Sequence, residues 1–346
     1  MTPRERWQAV LAHRPTDRTP TDYWGTAEIT QKLLAHFGLE TERELWIRLG
    51  VDKVHHLNGR YVGPAREDGA DVWGVRHTTV THADGAGTYS EPVNHPWAEF
   101  ETVDELEAAV TWPSPDWWDY SDVPAQLEEI GDYPRHGGGS EPFLTYCHLR
   151  GMEQAYMDLV LNPDLAHHCV TKLYDLAYEN TTRLLEAADG GVDFIYVAED
   201  MGSQSSLLFS PQQIEEFFVP GFRRMIELGH SAGAKVFHHS DGAVRPIIPR
   251  MVELGIDILN PIQWRCDGID RAELKSAFGE KLVFHGAMDN QETLPFGTPE
   301  EVRREAEENL AILGAGGGYV LAPCHNLQSI TPVENVIAMY EAATQA

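Results

Sequence analysis

Along this chain, polar residues collect where short apolar runs end, and their types are those of metal ligands and proton carriers. The run from Phe194 to Ala198 is followed by Glu199, Asp200 and, slightly further on, Gln204. His238, His239, Ser240 and Asp241 follow Phe237, His285 and Asp289 follow Phe284, and Cys324, His325 and Asn326 follow the run from Tyr319 to Ala322. Two chemistries use such a set. Neutral imidazole and thiolate are preferred zinc ligands, and a catalytic zinc keeps one position open beside three protein ligands. Without a metal, a carboxylate steadies a cationic intermediate while an imidazole moves a proton. The residues by themselves leave both open. A lone histidine at a strand end is often structural, but several on one rim point to a site.

These ends share a rim only if the runs before them are neighbouring parallel strands. Strand-like runs alternate with amphipathic helical stretches, the pattern of βαβ units. The strand candidates are Thr21 to Trp24, Lys53 to Leu57, Phe143 to Cys147, Phe194 to Ala198, Lys235 to His238, Ile258 to Ile262, Leu282 to His285 and Tyr319 to Ala322. Eight such units predict an α/β fold, a single (β/α)8 TIM barrel over residues 1–346, with its site at the strand C-termini. Asp193 and Asp257, just before their strands, belong to the opposite end and to stability. His55 and His56 are adjacent, so their side chains point to opposite sides and one of them can enter the barrel.

Thr2-Pro3, Ser210-Pro211, Thr298-Pro299 and Thr331-Pro332 each offer a capping hydroxyl, a proline at the first helical position and an acid or amide two residues later. In the helix after Ser210, the residues Ile214, Phe217, Phe218 and Phe222 fall at helical spacing and are expected in the core. The interval of approximately 59–140 breaks the alternation and reads as an elaborated loop insertion after the second strand. It carries a hairpin pattern (Val72 to Val80, Gly85 to Pro92) and a Trp- and Pro-rich run from Trp112 to Trp118. That run serves either the mouth of the site or as a packed cover or homodimer contact.

Composition narrows the function classes. A formal net charge of −28, from 54 acidic and 26 Lys+Arg residues, repels a phosphate backbone and excludes nucleic acid as a partner. An acidic excess of this kind is first of all a solubility property. No apolar run approaches the roughly 18 to 20 residues that span a bilayer, and no apolar segment follows the charged N-terminus, so a cytoplasmic protein is expected. The four cysteines are widely separated, without a CxxC pair, as in reduced thiols.

The stretch KVFHHSDGAVRPIIPRMVELGIDILNPIQ from Lys235, with VFHGAMDNQETLPFGTPEEV and GGGYVLAPCHNLQSITPVENV, resembles the uroporphyrinogen decarboxylase superfamily. The superfamily contains the decarboxylases themselves and zinc-dependent methyltransferases that move methyl groups between a corrinoid and a thiol. The resemblance independently implies the (β/α)8 barrel. The decarboxylases share an N-terminal Met-Arg-Gln-Ala-Gly-Arg segment whose arginines bind propionates. Here the region reads Asp22-Tyr23-Trp24-Gly25-Thr26-Ala27-Glu28, without arginine, and a polycarboxylate substrate needs guanidinium partners.

The methyltransferase branch uses a His-X-Cys on the fifth strand and a Cys on the eighth to hold zinc. His238-His239-Ser240 matches in its histidine, with Ser240 at the cysteine position, and the eighth-strand position falls on His325 beside Cys324. The resemblance therefore implies a methyltransferase-like enzyme with a metal held by His238 and His325 and completed by Cys324, or by Glu199 or Asp200. Asp200, Asp289 and His325 would be catalytic, and Glu199, Gln204, His239, Asp241, His285 and Asn326 would contact substrate. The implied cofactors are zinc and a corrinoid supplied by a partner protein, and the substrate is a small methylated compound or thiol. The alternatives are metal-free decarboxylation of a small acid and a non-catalytic corrinoid- or tetrapyrrole-binding module.

Overall fold

The computed structural model describes residues 1–67, 69–81 and 88–345. Its centre is a parallel sheet of seven strands in chain order: β1 (His55–Leu57), β2 (Arg135–Ser140), β3 (Phe194–Ala198), β4 (Lys235–His239), β5 (Ile258–Asn260), β6 (Val283–Met288) and β7 (Tyr319–Pro323). The extended segment at Thr21 and Gly25 forms parallel bridges with Leu321 and Leu327 beside β7. At the other edge, the Asp52 amide leading into β1 donates to the Thr21 carbonyl at 2.9 Å. One segment thus touches both edges, and the sheet curls in the manner of a TIM barrel.

The expected strands at Phe194, Lys235, Ile258, Leu282 and Tyr319 are present within a few residues. The third is a correction: Phe143 to Cys147 lies in the helix Pro142–Arg150, and the strand is Arg135–Ser140. Five apolar residues do not distinguish a buried helical turn from a buried strand. The true strand, RHGGGS, has almost no apolar signal, because its glycines are needed for close approach. Gly139 has φ +139°, and a Cβ there would lie 2.0 Å from the Tyr196 carbonyl oxygen. The same strand changes register against β3 between His136 and Gly139.

Trp7, Val10 and Leu11 of the helix Pro3–Leu11 close one end of the interior over Phe194, Phe237, Ile258, Val283 and Val320. Asp193 and Asp257 lie at that end, where Asp193 accepts from Arg4, Gln8 and the Arg135 amide. Asp257 accepts from Lys235 and the Val236 amide. Outside the sheet, Ile214, Phe217, Phe218 and Phe222 are all buried, as their spacing predicts. The capping boxes at Thr2, Ser210 and Thr298 form as the sequence predicts.

Between β1 and β2 the chain makes a short antiparallel pair (Arg60–Tyr61 with Trp118–Asp119) and a hairpin (His77–Thr81 with Thr88–Pro92). The helices Val103–Ala109 and Val123–Ile130 complete it, and the expected hairpin turn from Gly85 lies partly outside the described residues. Trp73, Trp97 and Trp112 meet edge to face with centroids 5.1 to 6.3 Å apart. Lys172, on the helix Pro163–Ala188, lies over the Trp112 ring. The Trp112 end of the Trp-rich run is therefore packed against an outer helix.

Candidate active site

Strand parity decides which rim residues meet. Along β4, Phe237 joins the interior cluster, so His239, two residues on, shares its face while His238 points to the other. His238 packs edge-on against Phe222 behind the sheet, and its Nδ1 donates to the Val197 carbonyl at 2.9 Å. Burial lowers its pKa to about 4, so it is a neutral group of the layer between sheet and helices. Ser240 shares that orientation; its buried Oγ accepts the Met201 amide at 3.0 Å.

The three-ligand group that the structure assembles, among the described residues, is Asp200, His239 and Asp241, with one donor atom of each within 4.8 Å of the others. It differs from the expected set of His238, Cys324 and His325, which the structure does not bring together as a three-ligand group among the described residues. The pattern is a histidine and an acid two residues later, one position on from the expected register. His239 Nε2 stands 3.6 Å from Asp200 Oδ1, beyond hydrogen-bond length. The same oxygen is held from the backbone side: Asp200 Oδ1 accepts the Asp241 amide at 2.9 Å. Asp241 Oδ1 is buried without a hydrogen-bond partner. Burial raises the Asp241 carboxyl, the neighbouring His239 imidazole opposes this, and Asp200 adds to it. Two carboxylates and an imidazole, one carrying an orphaned buried oxygen, are a chemically sound donor set for a divalent cation.

Behind His239 runs a buried chain of polar groups. Asn260 Oδ1 lies 2.6 Å from His239 Nδ1, Asn260 Nδ2 lies 2.7 Å from His285 Nδ1, and His285 Nε2 lies 3.2 Å from Asp22 Oδ2. His285, expected to touch substrate, has both ring nitrogens engaged and no exposed surface. Burial raises the Asp22 carboxyl, but the His285 hydrogen bond and the Lys53 charge outweigh it and hold its pKa at about 2.

Two cavities flank the group. One, of about 560 Å³, is walled by Trp24, Trp46, Phe194, Tyr196 and Phe237, with Lys53 at its side. The rings of Trp24 and Tyr196 lie 6.0 and 5.8 Å from that of His239. The other, of about 490 Å³, is lined by Gln204, Asp241, Asp289, Cys324 and His325, and Asn326 borders both.

The remaining expected residues divide by what they touch. Glu199 accepts the Phe143 and Leu144 amides at the start of a helix and is 2 % exposed, so it holds backbone rather than substrate. Its pKa is well raised by burial. Asp289 accepts the Gln291, Glu292 and Thr293 amides and pairs with Arg265 at 2.7 Å, which anchors the turn below the second cavity. Cys324 donates to the Ile262 carbonyl, and burial keeps it a thiol. His325 is half-buried on the same cavity, its backbone tied to Asn290.

Sequence reasoning missed Asp22, Asn260, Tyr196 and Glu141. Burial pushes the Glu141 carboxyl up to about 7, with His239 opposing and Asp200 and Asp241 reinforcing the rise. A polar residue ending the apolar run Ile258 to Asn260 was the available signal for Asn260.

Residues 125–346 match the sequence model of the family described as "Uroporphyrinogen decarboxylase (URO-D)", and the chain belongs to that family. Its relatives fall in both functional branches. It is 27% identical over 225 residues to the uroporphyrinogen decarboxylase of Psychromonas ingrahamii, covering 59% of this chain and 57% of that one. It is 24% identical over 250 residues to the methylated-thiol–coenzyme M methyltransferase of Methanosarcina mazei, covering 68% and 62%. It is 26% identical over 228 residues to the methylcobamide:CoM methyltransferase MtaA of Methanosarcina barkeri, covering 64% and 63%. The match thus spans less than two thirds of the length of each of these relatives. The solved structure of a methyltransferase from Methanosarcina mazei superposes over 100% of this chain and 99% of its own, with TM-score 0.70 and 20% identity, which establishes the shared fold.

Proposed function

We propose that this chain is a cation-dependent, methyltransferase-like enzyme of the URO-D family. It would move a methyl group between a small methylated compound or thiol and a corrinoid carried by a partner protein. The observation that carries the reading is the convergence of Asp200, His239 and Asp241 between two cavities, with the Asp241 Oδ1 unpartnered. Residues 1–346 act as one closed eight-position barrel, in which Thr21 to Gly25 supplies the first strand and the chain between β1 and β2 is an insertion.

A divalent cation bound by these three side chains supplies Lewis-acid chemistry, lowering the pKa of a substrate thiol or hydroxyl. Zinc is one such cation, and the oxygen-rich donor set also suits manganese or ferrous iron. The chain's own contribution is orientation and exclusion of water. The Asp241 amide fixes Asp200, Asn260 fixes the His239 ring, and Trp24, Tyr196 and Phe237 give the adjoining cavity an apolar wall. His325, which lines the second cavity with Asp241, is placed to exchange a proton with a group there.

Decarboxylation of a polycarboxylate is less well supported. Among the described residues, Arg265 is the arginine on either cavity, and it is paired with Asp289 and Glu292. The deciding experiment is metal analysis of the purified protein, with zinc, manganese and cobalt binding by wild type and His239→Ala, followed by methyl transfer between methylcobalamin and a small thiol. Wild-type protein that binds none of these cations would overturn the cation site, and binding without methyl transfer would overturn the assigned reaction.

A further inference from the structure

We propose that Asn260, His285 and Asp22 are positioning residues that place the His239 proton on Nδ1, leaving the Nε2 lone pair facing Asp200 and Asp241. The inference rests on reading those three residues as a cation site, and it assigns a role to groups that the proposed reaction does not itself use.

The argument runs outward from Asp22. Its Oδ1 accepts the Tyr23 and Val54 amides, and its Oδ2 accepts Trp24 Nε1 at 2.8 Å. Both oxygens therefore act as acceptors, and the low pKa agrees that the group is a carboxylate with no proton to give. His285 Nε2, 3.2 Å from Oδ2, must therefore carry the hydrogen between them. In a neutral ring, His285 Nδ1 is then an acceptor, and only the NH₂ side of Asn260 can satisfy it at 2.7 Å. That orients the Asn260 amide and turns its Oδ1 toward His239 Nδ1 at 2.6 Å. An amide oxygen only accepts, so His239 bears its hydrogen on Nδ1.

The strands hold these groups in line. His239 and Asn260 are register partners on β4 and β5, and Phe284 pairs with Leu259, which brings His285 beside Asn260. Asp22, Asn260 and His285 are at most 1 % exposed, so these polar groups partner one another in a low-dielectric interior. The opposite polarity requires a doubly protonated His285. The Asn260 oxygen would then turn to His285, its NH₂ to His239 Nδ1, and the His239 hydrogen would move to Nε2, where no ligand lone pair remains.

The test has two arms. In metal-free protein labelled with ¹⁵N-histidine, the His239 ring nitrogens report the tautomer directly: Nδ1–H is expected, and Nε2–H overturns the proposal even where no variant folds. In the second arm, cobalt(II) affinity is compared in wild type, Asn260→Leu and Asn260→Asp. Leucine removes the acceptor and is expected to weaken cobalt binding by about 10- to 100-fold. Aspartate still accepts from His239 and should stay within about threefold of wild type, on the same principle. Folded Asn260→Leu that binds cobalt like wild type overturns the positioning role. Absence of cobalt binding in wild type would remove the cation site while leaving the tautomer readable, so the two failures are distinguishable.

Discussion

His239 Nε2 and Asp200 Oδ1 stand 3.6 Å apart, close enough to share a cation and too far apart to share a proton. If that spacing belongs to a ligand pair, a divalent cation should bind the folded chain in preference to the unfolded one. At 100 times its dissociation constant the cation adds about 2.7 kcal/mol of stability. We expect a rise of several degrees in thermal midpoint on adding zinc or manganese, reversed by a chelator. In Asp241→Asn the rise should be largely lost; an equal rise in that variant would place the cation elsewhere.

The neighbouring histidines should separate cleanly. His239→Ala is expected to lower cation affinity on the order of 100-fold or more, while His238→Ala should leave it within about threefold. His238→Ala should instead cost stability, about 2 to 4 kcal/mol, from the cavity left beside Phe222 and the lost bond to Val197. Calorimetric titration with chemical denaturation of the same two proteins checks both halves. The reverse pattern would restore His238 as the ligand.

Ser240 offers a sharper contrast, because it occupies the position where the resemblance places a cysteine ligand. Its Oγ accepts the buried Met201 amide, so Ser240→Ala should cost about 1 to 3 kcal/mol by stranding that donor. Cation affinity should be unchanged. Loss of cation binding in stable Ser240→Ala protein would contradict the assignment of the site to His239 and Asp241.

Glu141 should give the fold a pH dependence whose sign follows from its burial. Its pKa is raised to about 7 in the folded chain, against an ordinary 4.5, chiefly by burial. The folded state therefore holds this proton more tightly than the unfolded state. The associated stability is fully present below the ordinary value and is lost as pH rises through about 7. Between those limits wild type should lose up to about 3 kcal/mol relative to Glu141→Gln, whose amide does not ionise. Parallel stability curves for the two proteins across this window would show that Glu141 does not titrate there.

Gly139→Ala should be severely destabilising, by about 3 kcal/mol or more, since the new methyl would occupy the place of the Tyr196 carbonyl and the backbone has φ +139°. Urea denaturation measures it. A loss below about 1 kcal/mol would mean that β2 can shift away from β3 without penalty.

Legibility followed the strength of local signals. The capping boxes at Thr2, Ser210 and Thr298 were readable because each is a contact between residues three apart. The strands Phe194–Ala198 and Tyr319–Pro323 were readable because they are buried on both faces and nearly wholly apolar. Arg135–Ser140 was hidden because its glycines answer a steric demand from Tyr196, which lies on a different strand.

The chain's order of residues determined that Asp200, His238, His239, Asp241, Asp289, Cys324 and His325 would end their runs in one rim region. It did not determine which of them face one another. Side chains alternate along a strand, so a shift of one residue separates His239, beside Asp200 and Asp241, from His238, behind the sheet against Phe222. The contact between Asp22 and His285 joins residues 263 positions apart. Nothing local marks such a pair; it exists because the sheet curls until its first extended segment lies beside its last strand, and only there can the two side chains meet.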